Sequence, residues 1–153
     1  MTGQGHEQDA GPGVRLGVDV GTVRVGVAVS DPAGVLATPL VTLARDTGGE
    51  RDLDELAALV AERTAVEVVV GLPRTLAGRS GSAALAAQDY AEKLRAKIEP
   101  VPVRLADERL TTVVASQTLS RQGVSTRKQK PRIDQAAAVL ILQGWLDRAR
   151  QVR

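Results

Sequence analysis

Cysteine and phenylalanine are absent from the 153-residue chain, and its only aromatic residues are Tyr90 and Trp145. Without a thiol there is no disulfide, no thiolate metal site and no cysteine nucleophile, a composition that suits a reducing cytoplasm. The single histidine, His6, lies in a polar, glycine-rich start and is read as inert. Any metal site must then be built from oxygen ligands, which favours Mg²⁺ or Mn²⁺ over Zn²⁺. The scarcity of rings argues against a reader of single strands that stacks bases on aromatic platforms. It also leaves the core to Val, Leu, Ile and Ala. No apolar run is long enough to span a bilayer. Residues 1–13 contain no apolar run and read as a disordered tail, not a signal peptide. The length suits one domain with a sizeable core, expected over 14–148, before a short basic end at 149–153.

Net charge is small but unevenly placed. The formal net charge is +2, made of about −5 in residues 1–60 and about +6 in residues 104–153. A basic C-terminal third is either an ordinary solvated face or a surface that meets phosphate.

The most informative segment is LGVDVGTVRVGVAVSD, Leu16 to Asp31. It reads as a hairpin, Arg15–Val20 and Arg24–Ser30. Strand side chains alternate between faces, so Leu16, Val18 and Val20 share one face while Gly17, Asp19 and Gly21 share the other. On the second strand Val25, Val27 and Val29 oppose Arg24, Gly26, Ala28 and Ser30. Asp19 therefore stands mid-strand, on a face stripped to Gly and Ala, where something bulky can come close. A carboxylate is unusual in a strand interior, and a buried one must be paired, hydrogen-bonded or metal-bound. Either it serves the backbone N–H groups of the following turn, or it belongs to a metal or phosphate site.

Further along, Asp31–Gly34 reads as a turn and Val35–Leu43 as a third strand, in which Pro39 predicts an edge position or a bulge. Asp52 to Arg63 carries Leu53, Leu56, Ala57 and Val60 at helical spacing. Val66–Val70 reads as a central strand buried on both faces. Gly71–Gly81 is a glycine-rich loop that could hold a phosphate with Arg74 and Arg79, although it is not a Walker A loop. Ser82 to Ile98 reads as a helix with Leu85, Tyr90 and Leu94 inward, followed by a strand over Val101–Ala106. Thr111 or Thr112 can cap a helix that stops at Gly123. Val124–Lys130 reads as a basic loop. Pro131 opens a last helix with Ile133, Ala137, Leu140, Ile141 and Trp145 on its apolar face. The order predicts an α/β fold: a five-stranded mixed sheet, an antiparallel three-strand meander plus parallel strands, flanked by helices.

Besides Asp19, acids stand at Asp107 and Glu108, directly after a strand, and at Asp134, near the start of the last helix. Each has an ordinary explanation. Asp107 can cap the turn after its strand. Glu108 can pair with Arg109 or Arg104 at the surface. Asp134 can favour the helix macrodipole by about 0.3–1 kcal/mol. Brought together on one rim of a sheet, Asp19, Glu108 and Asp134 would form a carboxylate cluster that needs a divalent cation. Arg127 to Arg132, including Lys128 and Lys130, could grip a nucleic-acid backbone beside it.

Four blocks, LGVDVGTVRVGVAVSD, VVVGLPRTLAGRSG, VRLADERLTT and IDQAAAVLILQGWL, resemble the YqgF/RuvX family of bacterial RNase H-like nucleases from Val14 to Leu146. Their order and spacing carry more than any single block. The resemblance implies an RNase H-like fold and a metal-dependent acidic site made of Asp19, Glu108 and Asp134. It implies a metal-dependent endonuclease in 5′-end maturation of pre-16S ribosomal RNA, or alternatively a resolvase of Holliday junctions. Arg24, Arg74, Arg109, Lys128, Lys130 and Arg132 are the expected nucleic-acid contacts. Without Cys, the protein is expected as a monomer or a non-covalent homodimer. Two further readings compete: a binding module that does not cut, and a nucleotide-binding lobe suggested by the likeness of DVGTVRVG to the first phosphate loop of the actin/Hsp70/sugar-kinase group.

Overall fold

The computed structural model describes residues 11–73, 81–107 and 126–152, and of residues 126–134 and 152 the backbone alone. The strands are β1 (Arg15–Val20), β2 (Arg24–Ser30), β3 (Ala37–Ala44), β4 (Glu67–Leu72) and β5 (Val103–Asp107), and the helices are α1 (Arg51–Glu62), α2 (Ser82–Ile98) and α3 (Thr126–Val152). The strands form one sheet in the order β3-β2-β1-β4-β5. β1 pairs antiparallel with β2 and β2 with β3, whereas β4 runs parallel to both β1 and β5. This is the mixed sheet that the order of elements predicts, an antiparallel meander plus parallel strands, and it agrees with the RNase H-like fold that the resemblance implies.

The alternation read in the hairpin separates the two faces. Leu16, Val18, Val25, Val27, Val68 and Val70 pack with α1 and α2 in one core cluster. Ala28, Val69 and Ala106 pack on the opposite face with Ala138, Ile141, Leu142 and Leu146 of α3. Every residue of β4 is buried, as its unbroken apolar run implies. β3 is an edge strand, and its register with β2 shifts after Val27↔Val41 to Ala28↔Pro39. Pro39 thus meets both conditions read from sequence: an edge, and a bulge that skips Leu40.

Three expectations need correction. The third strand starts at Ala37, not Val35, because the Asp31 carboxylate accepts the backbone N–H groups of Val35 (2.8 Å) and Leu36 (3.0 Å) and holds both in the turn. Gly34 closes that turn at φ +71°, a conformation suited to glycine. Leu85 faces solvent: the buried stripe of α2 is Ala84, Ala87, Tyr90, Ala91, Leu94 and Ile98, and Leu85 lies one residue off it. The third is the basic segment before Pro131. Its residues from Thr126 onward are helical, not looped. Arg127, Lys128, Gln129 and Lys130 are all good helix formers, so α3 runs through them; Pro131, its sixth residue, lies past the first turn and has no N–H to donate to residue 127. β4 and β5 are each displaced by a residue or two from their expected spans, which is where strand ends are least legible. The expected helix from Thr111 or Thr112 lies outside the described residues.

Candidate active site

The face under α3 is organised in three levels. At the N-terminal edge of the parallel strands, the buried carboxylate of Glu67 accepts from Arg15 Nε (3.0 Å), Arg104 Nε (3.1 Å) and Trp145 Nε1 (3.1 Å). Arg104, weighed above as a partner for Glu108, thus pairs with Glu67. In the middle, Gly17 lies beneath Ala138 and Leu142; a Cβ there would sit 2.7 Å from Leu142 Cβ and 2.9 Å from the Ala138 carbonyl oxygen. The close neighbour that the stripped face anticipates is therefore, at this level, the helix itself. At the third level Asp19 pairs in register with Gly26, and Gly26 with Thr42. Asp19 is half-buried, and the strand position beside it carries no side chain.

α3 runs antiparallel to β1 along these levels. Trp145 reaches Glu67 at one end, and Gln135 Nε2 donates to Thr42 Oγ1 at 2.8 Å at the other. Asp134 precedes Gln135 and stands one helical turn before Ala138. It is the ninth residue of a helix that begins at Thr126, and no acid lies in the first turn. The macrodipole explanation for an acid here fails, since that field falls off within one turn.

The turn after β1 is tied to the opposite core. Gly21 N donates to the Arg24 carbonyl (2.8 Å), Arg45 N to the Val23 carbonyl (2.8 Å) and Arg45 Nη1 to the Gly21 carbonyl (2.7 Å). Arg45 in turn lies 3.8 Å from the buried Asp52 carboxylate and 5.2 Å above the Tyr90 ring, and Tyr90 donates to Asp52 at 3.1 Å. Burial, and then the charge and hydrogen bond of Asp52, push the Tyr90 hydroxyl well above the ordinary tyrosine range. Arg24 is half-buried at the start of β2, next to this turn.

β1, β4 and β5 are parallel, so their C-terminal ends share one rim. Asp19 stands near it, and β5 reaches it with Asp107, in register with Leu72. Glu108, Arg109 and Arg74 lie outside the described residues. Lys128, Lys130 and Arg132 fall in the first two turns of α3, where only the backbone is described. Among the described residues no group of three or more His, Cys, Asp or Glu side chains comes together. Sequence reading did not single out Arg45, Thr42 or Gln135. Gln135 had one available signal, its place directly after Asp134; Arg45 had none, because its partners come from three separate elements.

A sheet of this order, with an acid on its middle strand and a long helix crossing that acid's face, defines a protein of the RNase H-like class. Within it, the chain belongs to the RuvX family, whose model, described as Holliday junction resolvase, matches residues 13–148. A protein of Mycolicibacterium paratuberculosis provisionally named a pre-16S rRNA nuclease is 61% identical over 144 residues, covering 94% of this chain and 86% of its own. A Rhodococcus opacus protein of the same provisional name is 57% identical over 148 residues, covering 94% and 83%. Among solved structures, Thermus thermophilus RuvC in complex with a Holliday junction substrate aligns with a TM-score of 0.49 at 12% identity, covering 88% of this chain and 94% of that one. No helix among the described residues is long and apolar enough to cross a membrane.

Proposed function

We propose that this protein is a divalent-metal-dependent endonuclease that cuts phosphodiester bonds in the 5′ leader of pre-16S ribosomal RNA, with Asp19, Glu108 and Asp134 as its acidic site. The observation that carries the reading is the placement of Asp19. It stands half-buried on the central strand, opposite Gly26, on the face that α3 crosses with position 134 one turn before Ala138. The RuvX membership and the pre-16S rRNA nuclease names of close relatives supply the reaction class and the RNA.

The donor chemistry at Asp19 fits Mg²⁺ or Mn²⁺. The chain has no Cys, and its one His lies in the N-terminal segment, so oxygens alone are on offer. Asp19, Glu108 and Asp134 would hold the metal, which when bound supplies charge to activate water and to stabilise a phosphodiester displacement. The rest falls to the chain. Gly26 leaves room beside the Asp19 carboxylate. Arg45 fixes the turn between Asp19 and Arg24. Arg24, Arg74, Arg109, Lys128, Lys130 and Arg132 neutralise backbone phosphates on either side of the cut.

One observation favours a second substrate. The matching family is described by its junction-resolving activity, and a four-way DNA junction presents the same phosphodiester chemistry. The test is a comparison of labelled pre-16S 5′-leader RNA and a four-way DNA junction, each with Mn²⁺ or Mg²⁺ and each with EDTA. Metal-dependent cutting confined to, or much faster on, the leader supports the proposal. Preference for the junction reverses the substrate assignment, and RNA binding without cutting by either metal contradicts the nuclease reading.

A further inference from the structure

We infer that Gln135 and Thr42 act as a positioning pair that sets the distance between the acid on β1 and the acid on α3; this rests on the acidic-site reading above. α3 grips the edge strand β3 at two levels. Gln143 Oε1 accepts from Ala37 N at 2.9 Å, and Gln143 Nε2 donates to the Val35 carbonyl at 2.9 Å. Eight residues earlier, Gln135 Nε2 donates to Thr42 Oγ1 at 2.8 Å. The two spans match: eight helical residues rise about 12 Å, and Ala37 to Thr42 extends roughly 13–16 Å once the bulge shortens it.

The two ends differ in what else holds them. Around Gln143 the helix is seated by Ile141, Leu142, Leu146 and the half-buried Trp145, and by the Trp145 bond to Glu67. Toward the site, the last buried apolar side chains among those described are Ala137 and Ala138, a single methyl each. Gln135 lies two residues before Ala137 and is half-buried. Its partner Thr42 belongs to the same cross-strand row as Gly26 and Asp19. The bond therefore ties the helix, one residue from Asp134, to the row that carries Asp19. Metal–donor distances hold to within about 0.2 Å, so a small shift of this end of the helix relative to β1 would be felt by a cation shared between the two acids. Neither residue touches the metal or the substrate in this account. They act through the two acids.

The experiment measures leader-RNA cleavage against Mn²⁺ concentration for the wild type, Gln135→Ala, Thr42→Val, the double variant, Thr42→Ser, Gln143→Ala and Asp19→Asn, with Tm for each. A positioning role predicts that Gln135→Ala and Thr42→Val each lose roughly ten- to a hundredfold in activity or in metal affinity, as outer-shell changes do. Both raise the Mn²⁺ concentration needed for half-maximal rate. The double variant loses no more than either single one, and Thr42→Ser restores the rate. Gln143→Ala lowers Tm but leaves the Mn²⁺ dependence unchanged. Wild-type metal dependence in both single variants overturns the inference, as do additive losses or losses that simply follow Tm across the set, Gln143→Ala included. Full activity in Asp19→Asn overturns the acidic-site reading and this inference with it. An inactive Asp19→Asn beside unaffected Gln135 and Thr42 variants overturns the inference alone.

Discussion

Gly17 and Leu142 meet so closely that no side chain fits between them: a Cβ on Gly17 would lie 2.7 Å from Leu142 Cβ. The contact lies one strand alternation from Asp19 and two helical turns from Asp134. Glycine on β1 is thus what lets α3 approach the sheet so closely, and the proposed site of a strand acid and a helix acid depends on that approach.

Gly17→Ala forces α3 away from β1, because the nearest atoms include the Ala138 backbone carbonyl at 2.9 Å, which cannot rotate aside. Overpacking of this kind costs about 1–3 kcal/mol, or several degrees of Tm for a chain of this size. Thermal unfolding checks it, and an unchanged Tm contradicts the close approach. Metal-dependent cleavage should fall further than Tm alone accounts for.

Glu67→Ala removes the carboxylate that satisfies Arg15, whose side chain is 3% exposed, and leaves the Trp145 indole N–H without that acceptor. Breaking one side of a buried ion pair costs roughly 3–5 kcal/mol. Trp145 is the only tryptophan, so urea unfolding followed by its fluorescence reads both the loss of stability and the change around the indole. A variant within about 0.5 kcal/mol of wild type, the range of ordinary surface substitutions, contradicts this account.

The hairpin, the two-faced alternation and the edge status of β3 were legible because each is carried by local pattern: period-two alternation in Leu16–Val20 and Val25–Val29, and Pro39. The inward face of α2 was read one residue off at Leu85, since a leucine outweighs the alanines Ala84, Ala87 and Ala91 in any hydrophobic count, while the helix packs closely by burying the small ones. The early start of α3 was obscured by Pro131, which reads as a beginning. Glu67 was missed because its partners, Arg15, Arg104 and Trp145, lie far from it in sequence. The same holds for Arg45 with Asp52 and Tyr90. Asp19 was legible as a candidate because a lone acid on a glycine face is a local anomaly.

Tyr90 is the only tyrosine, and its hydroxyl is held neutral by burial and by Asp52. Its pKa is raised on folding, so folding opposes its ionisation. Stability falls as pH rises above the unfolded tyrosine value of about 10. Phenolate absorbance should appear only with alkaline unfolding, followed in parallel by circular dichroism. Ionisation near pH 10 in the folded protein contradicts the Tyr90–Asp52 contact.

Asp31 titrates the other way. The N–H groups of Leu36 and then Val35 hold its carboxyl below the ordinary aspartate range. Its contribution is present above the unfolded value of about 3.9 and is lost as pH falls through the lowered folded value. Asp31→Ala should therefore lower Tm at neutral pH, with the difference from wild type closing as the pH is taken down into that acid range. A difference that stays constant with pH contradicts the turn geometry.

In the proposed function Asp19 is a working acid of a metal-dependent nuclease and not a turn-forming aspartate. The most direct measurement is cleavage of labelled pre-16S 5′-leader RNA in Mn²⁺ or Mg²⁺ by the wild type and by Asp19→Asn, with circular dichroism to establish that both are folded. The expected result is cutting by the wild type, abolished by EDTA and by Asp19→Asn in a folded protein that still binds the RNA. Undiminished cutting by folded Asp19→Asn contradicts it.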